Sequence, residues 1–124
     1  VSAVELTPHG VTRVALPVEP EALASRVVVA YTGASRNSGI NNWDVMKRRI
    51  DGDPAVVEAF DGIRDAAVGM RDALTAGDWM SAGQHLADEW RRRTTLAPGV
   101  TTPAITALLD SALAAGAWAG KVCG

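Results

Sequence analysis

Apolar and polar residues alternate roughly over Val4 to Leu6 and again over Val11 to Val18, on either side of the turn-forming Pro8-His9-Gly10. This period of two predicts a β-hairpin, with Pro17 and Pro20 ending the second strand. A short helical turn over Glu21 to Ser25 is expected next. Val27-Val28-Val29-Ala30-Tyr31 is a near-continuous apolar run, the pattern of a strand covered on at least one face, and it stops at Thr32-Gly33. From Ala34 to Asn42 the residues become Ser, Arg, Asn and Gly with a single Ile, which predicts a loop. Asn41 or Asn42 can cap a helix that begins near Trp43 and ends at Asp51-Gly52-Asp53.

Three stronger helical patterns follow. Asp53 is a suitable N-cap and Pro54 fits the first helical position, where its missing N–H costs nothing. Val56, Phe60, Ile63, Ala67, Met70 and Leu74 then recur at three- and four-residue spacing as one apolar stripe, and Gly77 supplies a left-handed stop. Asp78 caps the next helix, with Trp79, Gly83, Leu86 and Trp90 as its stripe. Arg91-Arg92-Arg93 closes it, positive charge at the negative end of the dipole. So short a joint predicts an antiparallel pair. Leu96-Ala97-Pro98-Gly99 is a turn, and Thr102-Pro103 repeats the cap-then-proline signal. The last helix has Ile105, Leu108, Leu109, Ala112 and Leu113 as its expected buried face, and Gly116 ends it. Ala117 to Cys123 is short and apolar and is expected to be a strand.

Strands, then helices, then a strand indicate an α+β fold, a single domain over residues 1–124 with helices on one face of a mostly antiparallel sheet. The size agrees, since 124 residues can bury one core but hardly two. A net charge of -2 offers no field for nucleic acid or acidic lipid. No apolar run approaches the ~20 residues that span a bilayer, and the start of the chain carries no secretory pattern. With one cysteine there is no internal disulfide framework, so a cytoplasmic setting is the expectation.

Several motifs resemble the C-terminal domain of GHMP-superfamily small-molecule kinases, nearest to the heptose-phosphate kinase-like branch. They are Tyr31-Thr32-Gly33 with Ser35-Arg36, Ser38-Gly39-Ile40 with Asn42-Trp43, and Lys47-Arg48 with Asp51-Gly52-Asp53. The run from Leu96 to Pro103 and the final Gly120-Lys121-Val122-Cys123-Gly124 complete the set. The resemblance implies a ferredoxin-like fold and a parent enzyme that moves the γ-phosphoryl of ATP, with Mg²⁺, to a sugar, sugar phosphate or other small alcohol. It also implies a partner, an N-terminal domain with the main ATP-binding loop, of which this chain shows no trace. A late glycine-rich loop would begin at Cys123-Gly124, which makes Gly124 a candidate cofactor contact. Phosphoryl transfer depends on donors and metal placed around the phosphates, so this chain alone is expected to be inactive and to bind no ATP or Mg²⁺.

Thr32, Ser35, Arg36, Ser38, Gly39 and Asn41 are the candidate substrate-binding residues. Their loop offers a guanidinium, hydroxyls and side-chain amides beside a helix start, whose free N–H groups favour anions. The plainer reading is a solvated loop that only caps the next helix. Thr101 and Thr102 read as a helix start, and the basic clusters Lys47-Arg48-Arg49 and Arg91-Arg92-Arg93 as solvated helix faces. Trp79 and Trp90 read as packing residues, and Asp44, Asp51 and Asp53 as turn and cap carboxylates. Cys123 has no nearby activating histidine, and His9 and His85 have no second ligand at metal spacing, so neither a catalytic residue nor a metal site is expected. The alternative to a kinase part is a non-catalytic binding or interaction module with the same fold. A homodimer through an open strand edge is a further expectation.

Overall fold

The computed structural model describes residues 1–33 and 39–123. The chain opens with the expected hairpin: β1 (Ser2–Thr7) pairs antiparallel with β2 (Gly10–Ala15), Ser2 opposite Ala15 and Leu6 opposite Val11. Alternation puts Ala3 and Glu5 on one face and Val4, Leu6 and Val11 on the other. Arg71 Nη1 reaches Glu5 Oε1 at 2.7 Å, so the Glu5 face turns toward the helices while Val4, Leu6 and Val11 remain exposed. The short α1 (Pro20–Ala24) follows. Just past it the Arg26 guanidinium lies 4.4 Å from the centre of the Trp79 indole, a cation–π contact with the helical layer.

Helix α2 (Gly39–Ile50) starts earlier than the capping pattern predicts, so Asn41 and Asn42 are helical residues and not caps. The joint to α3 (Pro54–Thr75) is strictly local chemistry. Gly52 takes φ 79°, and the N–H groups of Gly52 and Asp53 donate back to the carbonyls of Arg49 and Arg48. A left-handed residue closing two such bonds ends a helix without orphaned carbonyls, and glycine adopts that conformation without Cβ strain. Asp53 then caps α3 by accepting from Ala55 N and Val56 N. The same device recurs at Gly77, where Asp78 caps α4 (Trp79–Leu96).

Around Gly77, α3 and α4 fold back on each other as an antiparallel pair. The buried positions of α3 include Ala59, Ala66 and Ala73, and those of α4 are Ala82, Glu89 and Leu96. Each set steps by seven residues, the spacing of a coiled-coil seam. The small residues let the axes approach: Gly62 lies under the Arg92 guanidinium and Gly69 under the His85 ring, and a Cβ at either would have to displace the side chain above it. The seam therefore runs one position away from the larger apolar residues that pattern reading selects, and Ala67 is exposed. At its open end, Val56 (2 % exposed), Ala59 and Leu96 meet Val45 of α2, with Phe60, Ile63 and Ala97 packed around them.

Two expected strands are not strands. Val27 to Tyr31 has no ladder partner among the described residues, and Val28, Val29 and Tyr31 are 92 %, 91 % and 89 % exposed. The apolar run records a capacity to be covered, but the partner that would cover it is not among the described residues. Ala117 to Cys123 likewise joins no sheet and lies against helices. Helix α5 (Pro103–Ala114) is capped by Thr102 Oγ1, as expected, yet only Ile105 of its apolar face is buried. Leu108 and Leu113 are exposed because no second layer faces them among the described residues. The fold is α+β, a two-stranded antiparallel sheet with five helices among the described residues.

Candidate functional site

Lys47-Arg48 and Leu96-Ala97-Pro98 are far apart in sequence, and the fold brings them together. They line a cavity of about 350 Å³ with Asp44 and Val45, at the joint of α2 with the turn after α4. Arg48 forms the joint. Its Nη1 donates to the Leu96 carbonyl at 3.3 Å, while Nε and Nη2 each lie 2.9 Å from Asp53 Oδ2. One guanidinium thus holds the end of α2, the cap of α3 and the last carbonyl of α4. Five donors in a rigid fork suit such a three-way contact, which lysine could not reproduce.

The electrostatics are those of a braced corner. The Asp51 carboxylate accepts from Lys47 Nζ at 2.6 Å and holds the ammonium above its usual pKa. The Arg48 side chain, helped by the N–H groups of Val56 and Ala55, holds the Asp53 carboxyl below the usual range. Both cations are therefore already matched by aspartates. Among the described residues no three His, Cys, Asp or Glu side chains are grouped to hold a metal ion. The corner fixes the direction of α2 relative to α3 and the end of α4.

A depressed carboxyl pKa makes a signed prediction. Asp53 contributes stability that is present above the unfolded aspartate value of ~4 and is lost as pH falls through its lower folded value. Asp53→Asn keeps a cap acceptor but loses the charge. Its stability deficit, measured by urea denaturation, is expected at neutral pH and should shrink as pH falls below the unfolded aspartate value. A deficit independent of pH would mean that the Arg48–Asp53 pair adds nothing.

Of the candidate substrate-binding residues, Ser35, Arg36 and Ser38 lie outside the described residues, as does Gly124. Gly39 and Asn41 belong to the first turn of α2, and Thr32 to the exposed stretch before it. Thr101 and Thr102 are a helix start, with Thr101 Oγ1 also 3.1 Å from Thr106 Oγ1. Trp79 is half-buried beneath Arg26. Sequence reasoning missed two residues. Arg48 lies on an exposed helix face, as expected, but its spacing to the Asp53 cap also signals the bond across the joint, which the charge pattern alone does not show. Glu89, a carboxylate at a seam position, is buried at 8 % exposure. No helix among the described residues is long and apolar enough to cross a membrane.

Residues 70–124 match the family described as GHMP kinases C terminal. No curated protein and no solved structure matches the chain. The matched stretch takes in the end of α3, all of α4 and α5, and the segment packed on them, but not the hairpin or the Val27–Asn42 stretch. The match supports a GHMP-superfamily C-terminal domain in this part of the chain.

Proposed function

We propose that the chain is the C-terminal part of an ATP-dependent sugar or sugar-phosphate kinase of the GHMP class, nearest to the heptose-phosphate branch. In this reading it contributes acceptor-site walls and works with an N-terminal domain that binds ATP. The observation that carries the proposal is the family match over residues 70–124. The Lys47–Arg48 corner is compatible with it, because it joins α4, within the matched residues, to α2. The exposed apolar run from Val27 to Tyr31 is what an incomplete ferredoxin-like sheet would present, since a strand of that composition is ordinarily covered. A cytoplasmic setting belongs to the same reading.

In this reading the N-terminal partner binds nucleotide and metal. The task of this chain is to hold the acceptor, with Arg36 the residue suited to a phosphate or carboxylate through its planar fork. The test is an acceptor screen on the full-length protein with ATP and Mg²⁺, followed by Arg36→Ala. A rise of roughly tenfold or more in acceptor KM at nearly constant kcat is expected, the signature of lost ground-state binding. An unchanged KM would remove Arg36 from the acceptor site, and absence of phosphorylation across sugars and sugar phosphates would end the kinase reading.

A further inference from the structure

The segment after α5 is held by three different contacts, two to α4 and one to α5. Trp118 packs on Gly83, where a Cβ would stand 3.1 Å from the Trp118 Cβ. Gly120 lies beneath Leu109 of α5, with only 2.6 Å between a hypothetical Cβ and Leu109 Cδ2. Lys121 Nζ lies 2.8 Å from Glu89 Oε2. Gly83 and Glu89 are six helical residues apart, about 9 Å along the axis. Trp118 and Lys121 are three residues apart, about 10 Å if extended. The two contacts follow the same order on both segments, so the tail runs in the direction of α4 and is held at both ends.

Glu89 is an unusual residue for this position. Its Oε1 accepts from Arg93 Nε at 2.6 Å, one turn further along α4. Oε2 is buried and has no aligned hydrogen-bond donor, so the Lys121 contact is Coulombic. An apolar side chain would fill the seam at no desolvation cost, and a buried ion pair adds little net stability over one. What a charge supplies that a methylene does not is discrimination. A slip of one residue would put Gly120 or Val122 opposite the carboxylate and leave it without a cation from the segment.

We infer that Glu89 is a positioning residue, which through Lys121 fixes the register in which residues 118–121 lie along α4. In the kinase reading the chain from this segment onward approaches the phosphates, but the inference does not depend on that reading. Its test is a distance, not an activity.

Cys123 is exposed and is the only cysteine, so it can carry one spin label, and Gln84→Cys on the exposed side of α4 can carry another. Double electron–electron resonance on this pair is expected to give one narrow distance distribution. Glu89→Gln should broaden it or add a second distance, whereas Lys121→Arg should keep it narrow. If Glu89→Gln does not fold, Lys121→Met in the same labelled background should give the broadening. A narrow, unshifted distribution in whichever of these two variants folds would overturn the inference. A broadening in Lys121→Arg equal to that in Lys121→Met would overturn it too, because charge would then not set the register.

Discussion

Leu96→Ala is expected to cost about 2–5 kcal/mol of folding free energy, read as a lower urea midpoint at an unchanged slope. Leu96 is the last residue of α4, and its side chain is the only leucine in the cluster with Val45 of α2 and Val56 and Ala59 of α3. One side chain therefore closes a contact among three helices. Truncation leaves a hole that the neighbours are poorly placed to refill, since Ala59 has nothing to extend and the β-branched Val45 and Val56 have little χ1 freedom. The effect should also reach the corner above, where the Leu96 carbonyl accepts from Arg48. Leu108→Ala on the exposed face of α5 removes the same atoms and should stay within ~0.5 kcal/mol of the parent. Equal costs for the two variants would contradict the placement of the core.

What the sequence made legible was mostly local. Asp53, Asp78 and Thr102 cap the helices they precede, and Gly52, Gly77 and Gly116 take the left-handed turns that end them, because each interaction closes within a few residues. The hairpin was legible for the same reason. Val27 to Tyr31 was misread because strand formation needs a partner elsewhere, and periodicity says nothing of where that partner is. The α3–α4 seam was displaced because alanine and glycine score weakly as apolar residues, although their smallness is what lets the helices approach. On the functional side, the motifs at Lys47-Arg48 and Leu96-Pro98 proved to be neighbours, but the chemistry there is structural bracing. Glu89 was invisible as a core residue because it is charged. Its seven-residue spacing from Ala82 and Leu96, together with a lone lysine in an apolar tail, was the available signal.

Lys121→Glu is the second large effect, and its size should depend on pH. The substitution sets a carboxylate against Glu89, itself buried, and removes the cation that faced Oε2. Breaking a buried pair costs about 3–5 kcal/mol, and the loss here should be near ~3 at neutral pH because Lys121 keeps a quarter of its side-chain surface exposed. Lys121→Met should cost less, since Glu89 then retains Arg93 and faces an apolar stem. Burial opposes the Glu89 charge, but the Lys121 ammonium and the Arg93 guanidinium beside it outweigh this and hold the carboxyl below its ordinary pKa. Its contribution in the parent is thus present above the unfolded glutamate value of ~4.3 and lost as pH falls through the lower folded value. In Lys121→Glu the two facing carboxylates cannot both stay ionised cheaply, so one takes up a proton on acidification and part of the penalty disappears. Both effects close the gap between parent and variant as pH falls. Urea midpoints at neutral pH should therefore rank parent, Lys121→Met, Lys121→Glu, and the two variants should converge toward pH ~4. A Lys121→Glu deficit that is flat across this range would mean that the side chain at 121 faces solvent rather than Glu89.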